Sequence, residues 1–124
     1  LDMQRGTVTL KDPRTGELRI AAAYGLTRKE IQRGTYRIGE GVIGRVVKSG
    51  SPVVIPKVED EPLFLNRTKA RSGIRKKDVS FLCVPIRNAG EVLGVVSVDR
   101  LFGARVTFEE DLRVLKLVAQ SIAQ

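Results

Sequence analysis

The sequence predicts an α+β domain with a central antiparallel sheet of five to six strands, helices on one face and a ligand-pocket loop on the other. Three observations support this class. Apolar and β-branched residues alternate in several short runs that are separated by turn residues, as in antiparallel strands. Segments with helix-capping residues lie between those runs. The chain closes with an apolar stripe at helical spacing.

The first third of the chain predicts a hairpin followed by a short helix. The run GTVTL at 6–10 alternates, and the turn residues at 12–16 separate it from a second run. Four apolar side chains of that second run are expected on one side of the sheet: Leu18, Ile20, Ala22 and Tyr24. Thr27 and Glu30 have the spacing of a capping box, which predicts a helix ending near Gly34.

The next segment contains a dinucleotide-like spacing of glycines, G-x-G-x-x-G, at Gly39, Gly41 and Gly44. A dinucleotide-binding turn needs a buried apolar strand before it, and 35–38 is half polar. It also needs a full crossover helix, whereas Gly50 and Pro52 limit this helix to 42–49. We therefore interpret the glycines as a tight entry turn to a short helix, followed by a strand at 53–55.

Two apolar segments, 80–86 and 91–99, flank a predicted three-residue turn and form a second hairpin. Pairing symmetric about Ala89 places Arg87 opposite Glu91, Pro85 opposite Leu93, Cys83 opposite Val95 and Phe81 opposite Ser97. Pro85 argues for an edge or a bulge and leaves this register open by one residue. One face of the hairpin then carries Phe81, Cys83, Val95, Ser97 and Asp99. The other face carries Leu82, Val84, Ile86, Val92, Val96 and Val98, and should pack against helices.

A dense basic run lies at 61–78, just before this hairpin. Its six cations are Arg67, Lys69, Arg71, Arg75, Lys76 and Lys77. Guanidinium groups bind carboxylates and phosphates in a bidentate manner, so the run predicts an anion-binding loop over a pocket. The alternative is a solvated basic loop.

The C-terminal segment predicts an amphipathic helix that begins with a capping box at Thr107 and Glu110. Its apolar stripe is wider than one sheet face requires, so we expect a second partner, either the same helix of another subunit or a further helix. The residues assigned to a dimer interface are Leu112, Leu115, Val118, Ala119 and Ile122. The alternative is that the whole stripe is core.

The composition limits the functions that are possible. The chain has 124 residues, 42% hydrophobic and 29% charged, which suits one domain with its own core. One cysteine and no histidine exclude an internal disulfide, a thiolate metal site and histidine chemistry. No apolar run reaches the roughly 18 residues of a membrane span, so we expect a cytoplasmic protein that does not bind membranes. The net charge of +8 is by itself compatible with a nucleic-acid partner.

The sequence resembles the GAF domain, a sensor fold similar in outline to PAS domains, over essentially the whole chain. The residues that carry this resemblance are Gly39-x-Gly41-x-x-Gly44-x-Val46, GVVSVDR at 94–100 and Thr107-Phe108. PLFLNRT at 62–68, Arg71, Ile74, Arg75 and DVSFLCVPI at 78–86 look more narrowly like the N-terminal GAF domain of NifA-type transcriptional activators.

This resemblance implies that residues 1–124 form a single regulatory domain, without its N-terminal helix, of a sigma-54-dependent activator of nitrogen fixation. In such activators the GAF domain controls an adjoining ATPase module in response to a small molecule, for which 2-oxoglutarate is one candidate, or to a partner protein. We expect a homodimer. The residues expected to bind the anion are Leu65, Asn66, Arg67, Arg71, Arg75, Phe81, Cys83, Val95, Ser97 and Asp99.

Other GAF-type functions fit the sequence less well. A cyclic-nucleotide site would use an Asn, Lys, Phe, Asp and Glu pattern that is not convincingly present. Reduction of methionine sulfoxide and bilin attachment need cysteines or histidines that this chain lacks. Aromatic residues are only 5%, so stacking platforms for nucleic acid are missing. We therefore expect no catalytic residues, no cofactor and no direct nucleic-acid binding. A dimerisation or docking module without a ligand remains an alternative.

Overall fold

The computed structural model of the protein describes residues 3–56, 79–101 and 108–123. In chain order these residues form β1 (Met3–Lys11), β2 (Glu17–Tyr24), α1 (Arg28–Arg33), β3 (Thr35–Arg37), α2 (Gly41–Ser49), β4 (Val53–Ile55), β5 (Val79–Asn88), β6 (Glu91–Leu101) and α3 (Phe108–Ala123). The basic run at 61–78 and the capping residue Thr107 lie outside the described residues. No helix in the described ranges is both long and apolar enough to cross a bilayer.

The six described strands form one antiparallel sheet with the order β3-β2-β1-β6-β5-β4. β1 and β6, which are distant in sequence, pair at the centre, and the hairpin of β5 and β6 is the longest pairing. Every neighbouring pair in this sheet is antiparallel, whereas a dinucleotide-binding unit is built on parallel strands joined by a crossover helix. The sheet therefore agrees with a non-nucleotide role for the three glycines.

The glycines determine the turn before α2 and how closely α2 packs against β3. Gly39 and Gly41 have φ of +90° and +63°, a conformation that favours glycine. A Cβ on Gly44 would lie 2.4 Å from the carbonyl oxygen of Arg37, so only glycine lets α2 approach β3 this closely. The helix ends at Gly50, which has φ of +71° and donates its N–H to the carbonyl of Val46 at 2.8 Å. Packing therefore explains the glycine spacing.

The predicted capping box of α1 is confirmed. The Thr27 hydroxyl accepts a hydrogen bond from the Glu30 N–H at 3.2 Å, and Glu30 Oε1 accepts one from the Thr27 N–H at 2.8 Å. These reciprocal bonds satisfy two helix N–H groups that have no partner inside the helix. The helix then ends at Gly34, as predicted.

The two faces of the sheet hold separate apolar cores. The α3 face packs against α3 through Leu82, Val84, Ile86, Val96 and Val98, together with Leu115 and Ala119 of the helix. The opposite face, called the cavity face because a small cavity lies on it, packs against α2 through Leu18, Val79, Phe81, Cys83 and Val95. The predicted α+β class with a central antiparallel sheet is confirmed, and α2 in addition occupies the face on which the pocket loop was expected.

The register predicted for the second hairpin is wrong by one residue at Arg87 and by two residues at Pro85, Cys83 and Phe81. Asn88 pairs with Glu91 around a two-residue turn, Ala89 and Gly90, and the pairing then shifts between Ile86 and Arg87. The observed pairs include Pro85 with Val95, Cys83 with Ser97 and Phe81 with Asp99. The shift leaves Leu93 as an extra residue, so Val92 packs on the cavity face rather than with the aliphatic residues of the α3 face.

A similar irregularity corrects the expectation for β2. Thr9 pairs with Ile20, but the neighbouring Val8 pairs with Ala22, so Ala21 is an extra residue. Val8 packs on the α3 face, and its partner Ala22 therefore lies there too. Leu18 lies in the core of the cavity face, so Leu18 and Ala22 occupy opposite faces of the sheet. Alternation in the sequence could not show this because it assumes an uninterrupted strand.

Candidate ligand-binding site

A small cavity lies on the cavity face, beside α2. Its volume is about 20 Å³, which is room for about one water molecule. Its lining divides into a polar part from β1 and β6 and an apolar part from four other elements and a loop. This combination of a few converging polar groups with an apolar wall is typical of small-molecule sites.

The polar part consists of two cross-strand pairs of β1 and β6. Arg5 pairs with Asp99, and Thr7 pairs with Ser97. The Thr7 and Ser97 hydroxyl oxygens are hydrogen-bonded at 2.6 Å. Side chains two residues apart on a strand share a face, so each strand places two polar groups in the cavity. Two adjacent hydroxyls beside a cation and a carboxylate form the floor of the site.

The charged pair of this floor is close to neutral as a unit and shielded from water. Arg5 Nη1 lies 3.8 Å from Asp99 Oδ2, and the two side chains are only 16% and 3% exposed. Charge-assisted hydrogen bonds are usually about 2.7–2.9 Å long, so this contact is an ion pair without a direct hydrogen bond between these two atoms. A ligand entering the cavity meets both a guanidinium and a carboxylate.

The apolar wall comes from residues that are separate in sequence and converge around the floor. They are Ile20, Leu26, Tyr36, Ile43 and Phe81. Tyr36, Ile43 and Phe81 are buried and belong to the core under α2, so this part of the wall is firmly packed. Leu26 lies between Gly25, which has φ of +77°, and the cap of α1. The wall keeps bulk water away from the charged floor, so the attraction between Arg5 and Asp99 is stronger than it would be in water.

Cys83 lies on the cavity face but not on the cavity. It is fully buried in the core under α2. Burial raises the pKa of the Cys83 thiol well above its usual range. Because the thiolate is the nucleophilic form, this cysteine is a packing residue and unsuited to covalent chemistry.

The predicted ligand residues divide into three groups. Phe81, Ser97 and Asp99 line the cavity. Cys83 and Val95 share the same face but belong to the core and are fully buried there. The remaining five, Leu65, Asn66, Arg67, Arg71 and Arg75, lie outside the described residues.

Sequence reasoning missed Arg5 and Thr7 as site residues. It started the first strand at residue 6, whereas β1 begins at Met3 and includes Arg5. The signal was present, because Arg5, Thr7 and Thr9 alternate with smaller or apolar residues and therefore share one face. A polar row on a strand that is central in the sheet is a recognisable mark of a pocket floor.

The end of β6 is also tied to α3 on the opposite face. Arg100 and Asp111 form an ion pair, with side chains 11% and 12% exposed. Asp111 is in the first turn of α3, where its negative charge also complements the helix dipole. At the other end of α3, the Asn88 amide donates to the carbonyl of Ala123 at 2.8 Å. Both ends of α3 are thus attached to the hairpin of β5 and β6.

The predicted dimer residues of α3 do not share one environment. Leu115 and Ala119 are buried against the sheet, and Leu112 packs beside them. Val118 and Ile122 are exposed, as are two apolar neighbours, Val114 and Leu117. Beside this helix, over β1 and β2, lies an open groove of about 350 Å³ whose lining includes Val8, Ala22, Tyr24, Val98 and Val118. The helix therefore has an apolar surface outside its own core.

The sheet order, the two helical layers and the small polar cavity define a sensor-type α+β domain. The model of the GAF domain family matches residues 1–124. This chain belongs to the GAF domain family.

Similar proteins narrow the comparison further. The chain is 42% identical over 123 residues to the nitrogen fixation protein VnfA of Azotobacter vinelandii, covering 97% of this chain and 23% of VnfA. It is 42% identical over 129 residues to the Nif-specific regulatory protein of Azospirillum lipoferum, covering 100% of this chain and 20% of that protein. These matches confirm the predicted resemblance to NifA-type regulators. The chain spans less than a quarter of the length of these curated relatives.

Solved structures support the fold. The A. aeolicus nlh2 GAF domain in an inactive state has a TM-score of 0.84 at 24% identity, covering 98% of this chain and 72% of that chain. The free methionine-R-sulfoxide reductase of Neisseria meningitidis, in complex with its substrate, has a TM-score of 0.77 at 24% identity, covering 98% and 65%. At these identities the likeness shows the fold alone.

Proposed function

We propose that this chain is the signal-receiving domain of a NifA-like, sigma-54-dependent transcriptional activator in the bacterial cytoplasm. In this proposal it is not an enzyme. It binds a small molecule in the cavity beside α2 and thereby controls an adjoining ATPase module. Two features support this role: the similarity to Nif-specific regulators along the whole chain, and a cavity with a polar floor. The floor is the observation that carries the proposal.

The cavity explains how a ligand could act. With a volume of about 20 Å³ it cannot hold a metabolite unless the surrounding side chains move. A ligand that binds only the enlarged arrangement shifts the population toward that arrangement by its difference in affinity. Asp99 lies in the cavity, and the next residue, Arg100, holds the first turn of α3. A change at the floor therefore adjoins a residue that holds α3 on the opposite face.

The test is a thermal-unfolding screen of the 124-residue chain with 2-oxoglutarate, cyclic AMP, cyclic GMP and related anions, at low and raised salt. A ligand at 100 times its dissociation constant stabilises by about 2.7 kcal/mol, which raises the melting temperature by several degrees. A selective shift that survives raised salt supports a binding site. Arg67→Ala is expected to abolish the shift of an anionic ligand without changing the fold, if the basic run at 61–78 completes the site.

A second candidate, a dimerisation or docking module, is favoured by the exposed apolar surface of α3. Leu117 is 59% exposed and Tyr24 is 61% exposed, which is unusual for large side chains beside an apolar groove. We propose a homodimer through α3, in which Val118 and Ile122 contact the partner. Light scattering should show that Leu117→Lys lowers the molecular mass from dimer to monomer. A monomeric wild-type chain would refute the homodimer.

A further inference from the structure

A second groove lies at the edge of the sheet, on the flank of α3 that is turned away from β1 and β2. Its volume is about 270 Å³, compared with about 20 Å³ for the cavity beside α2. A side chain of another molecule can therefore enter it without a rearrangement of the fold. We call it the edge groove, and its lining includes Gly50, Pro52, Pro85, Arg87, Lys116 and Ala119.

The edge groove borders a part of β5 that β4 does not cover. The three residues of β4 pair with 81–83, and no strand in the described ranges pairs with the later part of β5 on that side. Pro85 lies in this uncovered part and lines the groove. Proline has no N–H and cannot donate to an added strand, so recognition at this position depends on side chains.

Two cations line the edge groove, Arg87 and Lys116, and none of its described lining residues is acidic. The Arg87 guanidinium donates a hydrogen bond to the carbonyl of Gly50 at the end of α2, which uses one of its five N–H donors. A register shift lies between Ile86 and Arg87, and such bulges re-aim a side chain. The arginine is thus held in place at the groove, where its charge complements an acidic group.

The groove adds an apolar floor to this charge, formed by Pro52, Pro85 and the buried Ala119. We propose that the edge groove docks an acidic, partly apolar peptide segment of a partner protein. A carboxylate of that segment contacts Arg87 and Lys116, and an apolar side chain packs on the prolines. None of the described lining residues is aromatic, so the groove lacks a platform for base stacking and favours a peptide over nucleic acid. This inference goes beyond ligand sensing and needs no ligand in the cavity.

The experiment is a two-dimensional NMR titration of the isotope-labelled 124-residue chain with three capped tetrapeptides. The probes Leu-Glu-Glu-Leu, Ser-Glu-Glu-Ser and Leu-Lys-Lys-Leu separate the contribution of the carboxylates from that of the apolar side chains. We expect Leu-Glu-Glu-Leu to shift the amide signals of Gly50, Arg87 and Gln120 with a dissociation constant of about 1 mM or lower. Ser-Glu-Glu-Ser should bind about threefold or more weakly, and Leu-Lys-Lys-Leu should leave these signals unchanged.

Three results would overturn the inference. The first is that no acidic peptide shifts these signals, and the second is that Leu-Lys-Lys-Leu shifts them as strongly. The third is that a thymidine oligonucleotide shifts them and the peptides do not, which would assign the groove to nucleic acid. Each of these results leaves the proposal of a sensing cavity intact.

A matched pair of variants assigns the binding to the groove. Lys116→Gln and Lys29→Gln each remove one charge from an exposed helical lysine, but Lys29 is on α1, which packs against β2 near the other end of the sheet. Lys116→Gln should weaken Leu-Glu-Glu-Leu about threefold. Lys29→Gln should weaken it by less than about 1.5-fold at about 150 mM salt, which screens distant charges. Equal weakening in the two variants, with each fold verified by its unfolding curve, would show a general attraction to a basic chain and overturn the inference.

Discussion

The two faces of the sheet each carry one charged pair near the end of β6, and the pairs differ in how closely they are joined. On the α3 face, Arg100 and Asp111 are in direct contact. On the cavity face, Arg5 and Asp99 are 3.8 Å apart. Asp99 and Arg100 are neighbours in sequence, and alternation along a strand directs them to opposite faces. The pair on the α3 face thus holds a helix in place, whereas the pair on the cavity face lies in the lining of the cavity.

The apolar residues show the same contrast. On the α3 face the aliphatic side chains pack directly against Leu115 and Ala119 of one long helix. On the cavity face, α2 covers Phe81, Cys83 and Val95, but the polar ends of β1 and β6 remain beside a cavity. The packing is therefore incomplete at the cavity, where the proposed ligand would need the space and polar groups that a core excludes.

The largest expected effect tests which part of α3 is core. Leu115→Ala should destabilise the chain by about 2–5 kcal/mol, because Leu115 is 2% exposed and its removal leaves a cavity. Leu117→Ala is the matched control. Leu117 is 59% exposed, so its loss should change the stability of the monomer by less than about 0.5 kcal/mol. Urea unfolding at a concentration where the chain is monomeric measures both.

Equal losses in the two leucine variants would contradict this division of the helix. A large loss in Leu117→Ala that disappears on dilution would instead point to the dimer contact. The pair of variants therefore separates core packing from association on the same helix.

The second prediction compares the two charged pairs by double-mutant cycles. Arg100→Ala with Asp111→Asn should give a coupling energy of about 1–3 kcal/mol, because the pair is in contact and its side chains are mostly buried. Arg5→Gln with Asp99→Asn should give less, about 0.5–1 kcal/mol, because the pair is longer. Denaturant unfolding of the wild type and of the two single variants and one double variant of each pair supplies the values. A stronger coupling between Arg5 and Asp99 would mean that this pair stabilises the fold and does not separate to bind a ligand.

Most of the fold could be predicted from the sequence because local signals state it directly. The capping box at Thr27 and Glu30, the end of α2 at Gly50 and the strand at 53–55 are all where the sequence placed them. These features depend on residues within four positions of each other. For that reason they can be predicted without knowledge of the tertiary structure.

The site was less predictable because it depends on contacts between distant residues. The pairing of β1 with β6 joins opposite ends of the chain and brings Arg5 to Asp99. The extra residue at Leu93 was not expected, since a three-residue turn fits the same sequence as well as a two-residue turn with a bulge. The wall residue Ile43 came to the site only because Gly44 lets α2 approach β3. None of these events leaves a local pattern.

The smallest expected effect concerns Cys83 and the pH dependence of stability. The thiol is buried on the cavity face, and burial raises its pKa, so the folded chain keeps this proton when the unfolded chain, with an ordinary pKa of about 9.0, loses it. Above that pH the unfolded state binds fewer protons than the folded state, so the free energy of unfolding must fall as pH rises, by up to about 1.4 kcal/mol per pH unit. Below pH 8 the thiol contributes no slope.

The comparison of Cys83→Ala with Val84→Ala isolates this contribution. Both variants lose buried volume, on opposite faces, but only the first removes a titratable group. Urea unfolding at pH 7, 9 and 10 under reducing conditions should show that the stability gap between wild type and Cys83→Ala narrows with pH, while the gap for Val84→Ala stays constant. A constant gap in both variants would mean that Cys83 is accessible to water in the folded chain. Water would then reach the core around Cys83 as well as the cavity.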